Sequence, residues 1–350
     1  MRRRSNRNPH FAVINDPRTL TSRKTHTEDA ALTLQALEKY QLLVYLVTIS
    51  TGLVVGTLWP ATGGSLETLL WPVLGVLLYV TFTQVPLNHI SDALRDHRFL
   101  LAAVVGNFLV VPLLVWALMS LLPDQPAVHL GVVLVLLVPC TDWFITFTHL
   151  GGGDTRHAIA FSPISLLLQI LLLPLYLWLF LGADMVVAVA HREMLTAFMG
   201  LIVAPLALAF VTELWVNDKP QRVRVAEKLG WLPVPLLALV LFIVVASQVS
   251  LVTASLALLA PLALVFILFL LATPILARLM ATALSLPPRQ GRVLAFSMGS
   301  RNSFVVLPLA LALPEPLQAA VVVVVFQSLL ELLGMLFFLW WIPRRLFKTF

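Results

Sequence analysis

Cys140, Thr141 and Asp142 follow one another directly after Pro139, inside the otherwise hydrocarbon-like run "LVLLVPCTDWF". A thiol is a soft ligand for thiophilic metals and metalloids, and an aspartate can carry a proton or a counter-charge. A second polar knot, "SMGSRNSF", sets Arg301, Asn302 and Ser303 just behind Gly299 and Ser300. Glu331 lies about one helical turn beyond Gln327, so the two share a helix face in a third apolar run. Cys140 is the only cysteine of the chain, which excludes an intrachain disulfide, a cysteine-built zinc site and multi-sulfur chelation. No cofactor signature accompanies these groups.

The elements that hold such groups are set by the solvent around them. The chain of 350 residues is 59% hydrophobic and 11% charged, with mean hydropathy +0.94, against roughly 45–50% apolar and 25% charged in a soluble domain. That composition predicts an all-α integral membrane protein. Apolar stretches long enough to cross a bilayer fall at 38–58, 69–88, 99–122, 128–150, 157–182, 195–215, 230–249, 254–282, 291–313 and 316–342, which makes ten expected spans. Arginine and lysine cluster before the first span and in alternate loops, whereas "PATGGSLET", "LPDQPAV", "ASQVS" and "LPEP" carry neither, and only Arg192, between spans five and six, breaks the pattern. The positive-inside rule then places both termini in the cytoplasm of a cell membrane. The net charge of +6 is accounted for by topology and contact with anionic lipid, with no aromatic-basic stripe for nucleic acid. Residues 1–35 are basic and aperiodic and read as a disordered cytoplasmic tail.

Ten spans divide into two halves of five, 36–190 and 191–350, and an odd number forces the halves to enter the membrane in opposite senses, as an inverted repeat. Trp71 and Trp231, Cys140 and Asn302, and Gln169 and Gln327 recur at offsets of 160, 162 and 158 residues. Spans four and nine are each interrupted. Pro139 removes a backbone donor and restricts Val138, and such a break survives in lipid only where protein or water satisfies the freed groups. Broken spans at matching positions of two halves point to a transporter's substrate site near the midplane.

The motifs "VPCTDW" with "GGGD", and "RNSFVVLPLALALP" in span nine, resemble the bile acid/sodium symporter superfamily, in particular its arsenite-efflux branch, over roughly residues 38–342. Members of that branch carry a required cysteine that matches Cys140. The resemblance implies a ten-helix inverted-repeat fold in which spans four and nine cross at the substrate, with spans one, two, six and seven forming a panel and the rest a core. It implies export of arsenite, or antimonite, by alternating access. The sequence departs from the pattern at the coupling positions, where Phe304, Ser297 and Arg301 stand in place of the acidic and glutamine residues of relatives.

Each candidate has two readings. Asp142 pairs with Arg301 either as a fixed clamp or as a proton carrier that alternates between the pair and a proton, and a permanent guanidinium there argues for proton over sodium coupling. Cys140 is either a small buried hydrophobe or the soft ligand for trivalent arsenic, with Thr141, Asn302 and Ser303 hydrogen-bonding the hydroxyls of neutral arsenous acid. Glu331 is the second proton-carrier candidate. Gln84, Asn107, Gln169 and Gln327 read as interhelical glue. The alternative within transporters is coupled symport of an organic anion, with Arg301 as its carboxylate ligand. An intramembrane aspartyl protease is excluded as far as the motif goes: "GGGD" at 151–154 lacks the Tyr-Asp that would supply a second aspartate, and no His-Glu-x-x-His zinc helix is present.

Overall fold

The computed structural model describes residues 43–59, 63–84, 96–141, 143–189, 199–217, 228–247 and 256–348, with four single residues between them. The basic tail 1–35, Asp142, the side chain of Phe304 and the joint expected at 190/191 lie outside the described residues. Among the described residues the chain is helical with no strand: α1 Leu43–Leu58, α2 Gly63–Thr83, α3 His97–Met119, α4 Pro126–Leu136, α5 Trp143–Leu150 and α6 Thr155–Val189, then α7 Met199–Val216, α8 Pro233–Ser247, α9 Leu259–Ala283, α10 Pro288–Gly299, α11 Ser303–Leu311 and α12 Ala319–Trp341. Five helical stretches, around α3, α6, α7, α9 and α12, are long and apolar enough to cross a membrane. Large apolar side chains such as Trp116 and Leu171 stand on the outside, 70% and 72% exposed, as an exterior facing lipid requires.

Two interruptions set the architecture. The chain passes from α4 to α5 through Pro139 and from α10 to α11 through an extended Ser300 (φ −105, ψ 132). Elsewhere prolines sit inside helices without ending them, at Pro72, Pro163, Pro174, Pro274 and Pro308, where neighbouring helices and local adjustment absorb the lost bond. In α3 the helix widens to a π-turn over Gly106–Val110, which shifts the register of the residues beyond it.

The helices sort into two groups. α2 packs on α7 and α8, and α1 joins α8 so closely that a Cβ at Gly56 would fall 2.5 Å from the Ala246 carbonyl oxygen, a place open only to glycine. The second group holds α3, α4, α5, α6, α9, α10, α11 and α12, in which α4 lies on α12 and α9 on α10 and α12. Here Gly131 lets the backbones of α4 and α12 approach, since a Cβ on it would meet Val323 at 2.8 Å. In lipid this small-residue contact, and not exclusion of water, holds helices together. These groups correspond to the expected panel and core, and they meet around a cavity described below.

At one end of the core a polar latch joins three helix starts. The Asp96 carboxylate caps α3 by accepting the Phe99 N–H at 3.1 Å, accepts Gln290 Nε2 at 2.8 Å and lies 3.2 Å from His157 Nε2. His157 Nδ1 faces Asp154 Oδ2 at 3.1 Å, and the Asp154 N–H donates to the Arg289 carbonyl at 3.1 Å. The aspartate of the "GGGD" turn is thus part of a structural knot. Partial burial pushes the Asp96 carboxyl up, but the Phe99 N–H, Gln290 and His157 outweigh it and hold the group below the usual carboxylate range. A depressed value in the folded state gives stability that is present above the unfolded value and lost as pH falls through the folded one. Asp96→Asn, which keeps a capping oxygen, is therefore expected to flatten the acid limb of stability below about pH 4. Asp96→Ala loses about 1 kcal/mol at neutral pH as well. Thermal unfolding in detergent as a function of pH reads both.

Candidate substrate and coupling site

The two breaks cross and repair each other. Pro139 and Arg301 form an isolated antiparallel bridge in which the Cys140 N–H donates to the Ser300 carbonyl at 3.1 Å and the Asn302 N–H to the Val138 carbonyl at 2.8 Å. Backbone groups that each helix could not satisfy alone are satisfied by its mate, as an interruption inside a membrane protein demands. Thr141 and Asn302 lock the joint: Asn302 Nδ2 reaches Thr141 Oγ1 at 3.4 Å, its Oδ1 accepts the Val305 N–H at 3.3 Å to cap α11, and Ser162 from α6 donates to the Thr141 carbonyl. Both side chains are fully buried.

Arg301 fills the space between the two helix ends. Its Nη1 donates to the Leu136 carbonyl at 3.2 Å, and Nη2 donates to the Ser297 and Met298 carbonyls at 2.7 Å each and to Asn107 Oδ1 at 2.9 Å. These carbonyls belong to the last turns of α4 and α10, where unsatisfied oxygens and the negative ends of both helix dipoles favour a cation. Asn107, on the π-turn of α3, is fixed in turn by Ser297 Oγ at 2.9 Å and the Ala103 carbonyl at 3.0 Å. The guanidinium also stands 5.6 Å over the Phe269 ring, a cation–π distance. Its Nε–H, in a side chain 3% exposed, has no acceptor among the described residues.

Glu331 comes to the same crossing from α12. Oε2 accepts the Arg301 backbone N–H at 2.9 Å and Gln327 Nε2 at 2.7 Å, and Oε1 accepts Ser300 Oγ at 3.1 Å. Ser303 Oγ donates to Gln327 Oε1 at 2.9 Å and extends the chain of bonds into α11. Three donors converge on this carboxyl group, and loss of one donor or arrival of a proton rearranges the network.

A narrow cavity, open on one side, lies between the two groups of helices. The core contributes Cys140, Arg301, Ser303, Ser328 and Glu331 to its wall, and the panel contributes Tyr45, Leu237 and Leu241. Tyr45 of α1 stacks on Trp143 of α5 at 6.5 Å between centroids and 11° between planes, across the border of the groups.

Of the residues singled out from the sequence, Cys140, Arg301, Ser303 and Glu331 share the cavity, while Thr141 and Asn302 stand behind it and hold the crossing. Among the described residues the guanidinium is bound by carbonyls and an amide and by no carboxylate side chain. Asn107 and Gln327 are the interhelical ties their burial suggested, Gln84 bonds within its own helix, and buried Gln169 finds no partner among the described residues. The role of Asn107 was missed as a site residue; its spacing carried no signal, because it meets Arg301 across almost 200 positions. No group of metal-ligating side chains occurs among the described residues.

Residues 71–255, more than half of the chain, match the Sodium Bile acid symporter family. That family consists of sodium-coupled symporters of bile acids and other organic anions and of related transporters, none of them enzymes. The match includes the break at Cys140 and stops short of the one at Arg301. No curated protein matches the chain.

Proposed function

Because the chain belongs to the sodium bile acid symporter family and is therefore a multi-pass membrane transporter, we propose that it is a secondary active exporter of arsenite, and of antimonite by the same chemistry. The observation that carries the reading is the lone thiol of Cys140 on the wall of a cavity whose other polar groups suit a neutral, hydroxylated solute. Arsenous acid offers a soft centre to the sulfur and hydroxyl groups to Glu331 and Ser303. An organic anion fits less well. The terminal nitrogens of Arg301 are committed to four acceptors, and Glu331 in the same wall would repel a carboxylate.

The same cage supports proton coupling over sodium. Four oxygens around a guanidinium form a cation site already filled by a tethered cation. Glu331, in the cavity wall, is then the group best placed to exchange a proton with the substrate, and Asp142 is the other candidate. The reading includes ten spans in two inverted repeats, both termini in the cytoplasm of the cell membrane, and rocking of the core against the panel, so that the cavity opens to each side in turn.

Everted membrane vesicles test this. Arsenite should accumulate under an imposed proton gradient and ignore a sodium gradient. Glu331→Gln should retain arsenite exchange at equilibrium but lose gradient-driven accumulation, since an amide cannot gain or lose the proton. Accumulation that still follows the proton gradient in that variant moves the carrier role to Asp142, and accumulation that follows sodium alone rejects proton coupling.

A further inference from the structure

The cavity wall is asymmetric in a way that bears on substrate shape. The polar side chains of the wall opposite the panel come from the core, Cys140, Arg301, Ser303, Ser328 and Glu331, set among the core's apolar Leu307, Val324, Val325 and Leu332. The panel answers with Leu237, Leu241 and the Tyr45 ring, which lies flat on Trp143. Arsenous acid carries three hydroxyl groups and nothing apolar. Captured at Cys140 with loss of one hydroxyl as water, it would keep two, one for the core and one turned toward hydrocarbon, where a hydroxyl without a partner is unfavourable.

We infer that the cavity is shaped for a trivalent organoarsenical, R–As(OH)2, with the hydroxyls on the core and a methyl or aryl R against the panel. The inference rests on the arsenite reading and narrows its substrate class. Capture proceeds by exchange at arsenic without change of oxidation state: the Cys140 sulfur forms an S–As bond, one As–O bond breaks, and the departing hydroxyl leaves with the thiol proton as water. The remaining As–OH donates to Glu331. Hydrolysis on the far side reverses the step and frees the thiol. A single sulfur suits this, because R–As bound through one thiolate remains exchangeable. The aryl ring in this pose lies beside the Tyr45–Trp143 stack, in an offset aromatic contact.

Everted vesicles containing the full chain, compared with vesicles lacking it, are given arsenous acid, methylarsonous acid or phenylarsonous acid under the same proton gradient. Transport at limiting substrate is expected to rise along that series, with phenylarsonous acid favoured over arsenous acid by about tenfold or more, the scale of discrimination an apolar pocket provides. Trp143→Ala and Leu237→Asn should each lower the phenyl-to-inorganic ratio. Leu241→Phe, which narrows the cavity without adding polarity, should lower it too, so that the result does not depend on one variant folding. Detergent-solubilised thermal unfolding identifies any variant that has lost its structure. Transport of arsenous acid with exclusion of the phenyl compound overturns the inference and leaves the arsenite reading standing. Transport of neither arsenical overturns both. A ratio unchanged in all three variants, or one equalled by vesicles without the protein, also overturns the inference.

Discussion

Arg301→Met is expected to lose about 3–5 kcal/mol of stability, the largest single effect in the molecule. The substitution keeps an apolar stem of similar length and removes the charge. The Leu136, Ser297 and Met298 carbonyls and the Asn107 amide oxygen, all on fully buried residues, then lose their donor. Glu331 at the same time loses the positive charge beside it. Arg301→Lys should recover only part of the loss, because one ammonium has three donors and cannot span acceptors on three helices at once. The double variant Arg301→Met with Glu331→Gln removes the uncompensated carboxylate and should be more stable than the sum of the single losses predicts. Chemical or thermal unfolding in detergent for the four members of this cycle gives the coupling directly. Strictly additive losses would mean that the guanidinium and the carboxylate do not interact.

Cys140→Ser is expected to abolish arsenite transport, by about a hundredfold or more, with little change in expression or melting temperature. Serine retains the volume and a hydrogen-bonding group but is a hard ligand with no affinity for trivalent arsenic. The Cys140 backbone N–H, which makes the bond to Ser300 at the crossing, is unaffected. Structure and transport are thereby separated in one substitution. Uptake of arsenite into everted vesicles, set against the thermal stability of the purified variant, is the measurement. Serine-variant transport at the parent rate would remove sulfur from the mechanism and leave the cavity to a substrate recognised by hydrogen bonds alone.

Much of the crossing could be read from the letters. Pro139 in an apolar run and the polar string from Ser297 to Ser303 mark two interrupted helices, because proline and unpaired backbone are visible in sequence. The partners of Arg301 could not be read. A charged side chain inside a membrane span suggests a carboxylate mate such as Asp142, which lies outside the described residues; among those described, three of the four acceptors of the guanidinium are main-chain carbonyls, which have no letter. Glu331 looked secondary for a similar reason. Its spacing from Gln327 showed a shared face, but only the path of α12 past the crossing brings that face to Ser300 and the Arg301 N–H. Thr141 and Asn302 looked like substrate ligands by composition; the structure gives each a partner across the joint, a matter of register that residue type does not specify.

The bridge between Pro139 and Arg301 also governs how the protein can be made. Its two sides are about 160 residues apart, so at roughly 5–20 residues per second the ribosome delivers the second about 8–30 seconds after the first. During that interval α4 and α5 are in or near the bilayer with the Val138 carbonyl and the Cys140 N–H awaiting their mates. The first interrupted helix therefore needs other partners for these two groups, from water or the insertion machinery, until α10 and α11 arrive.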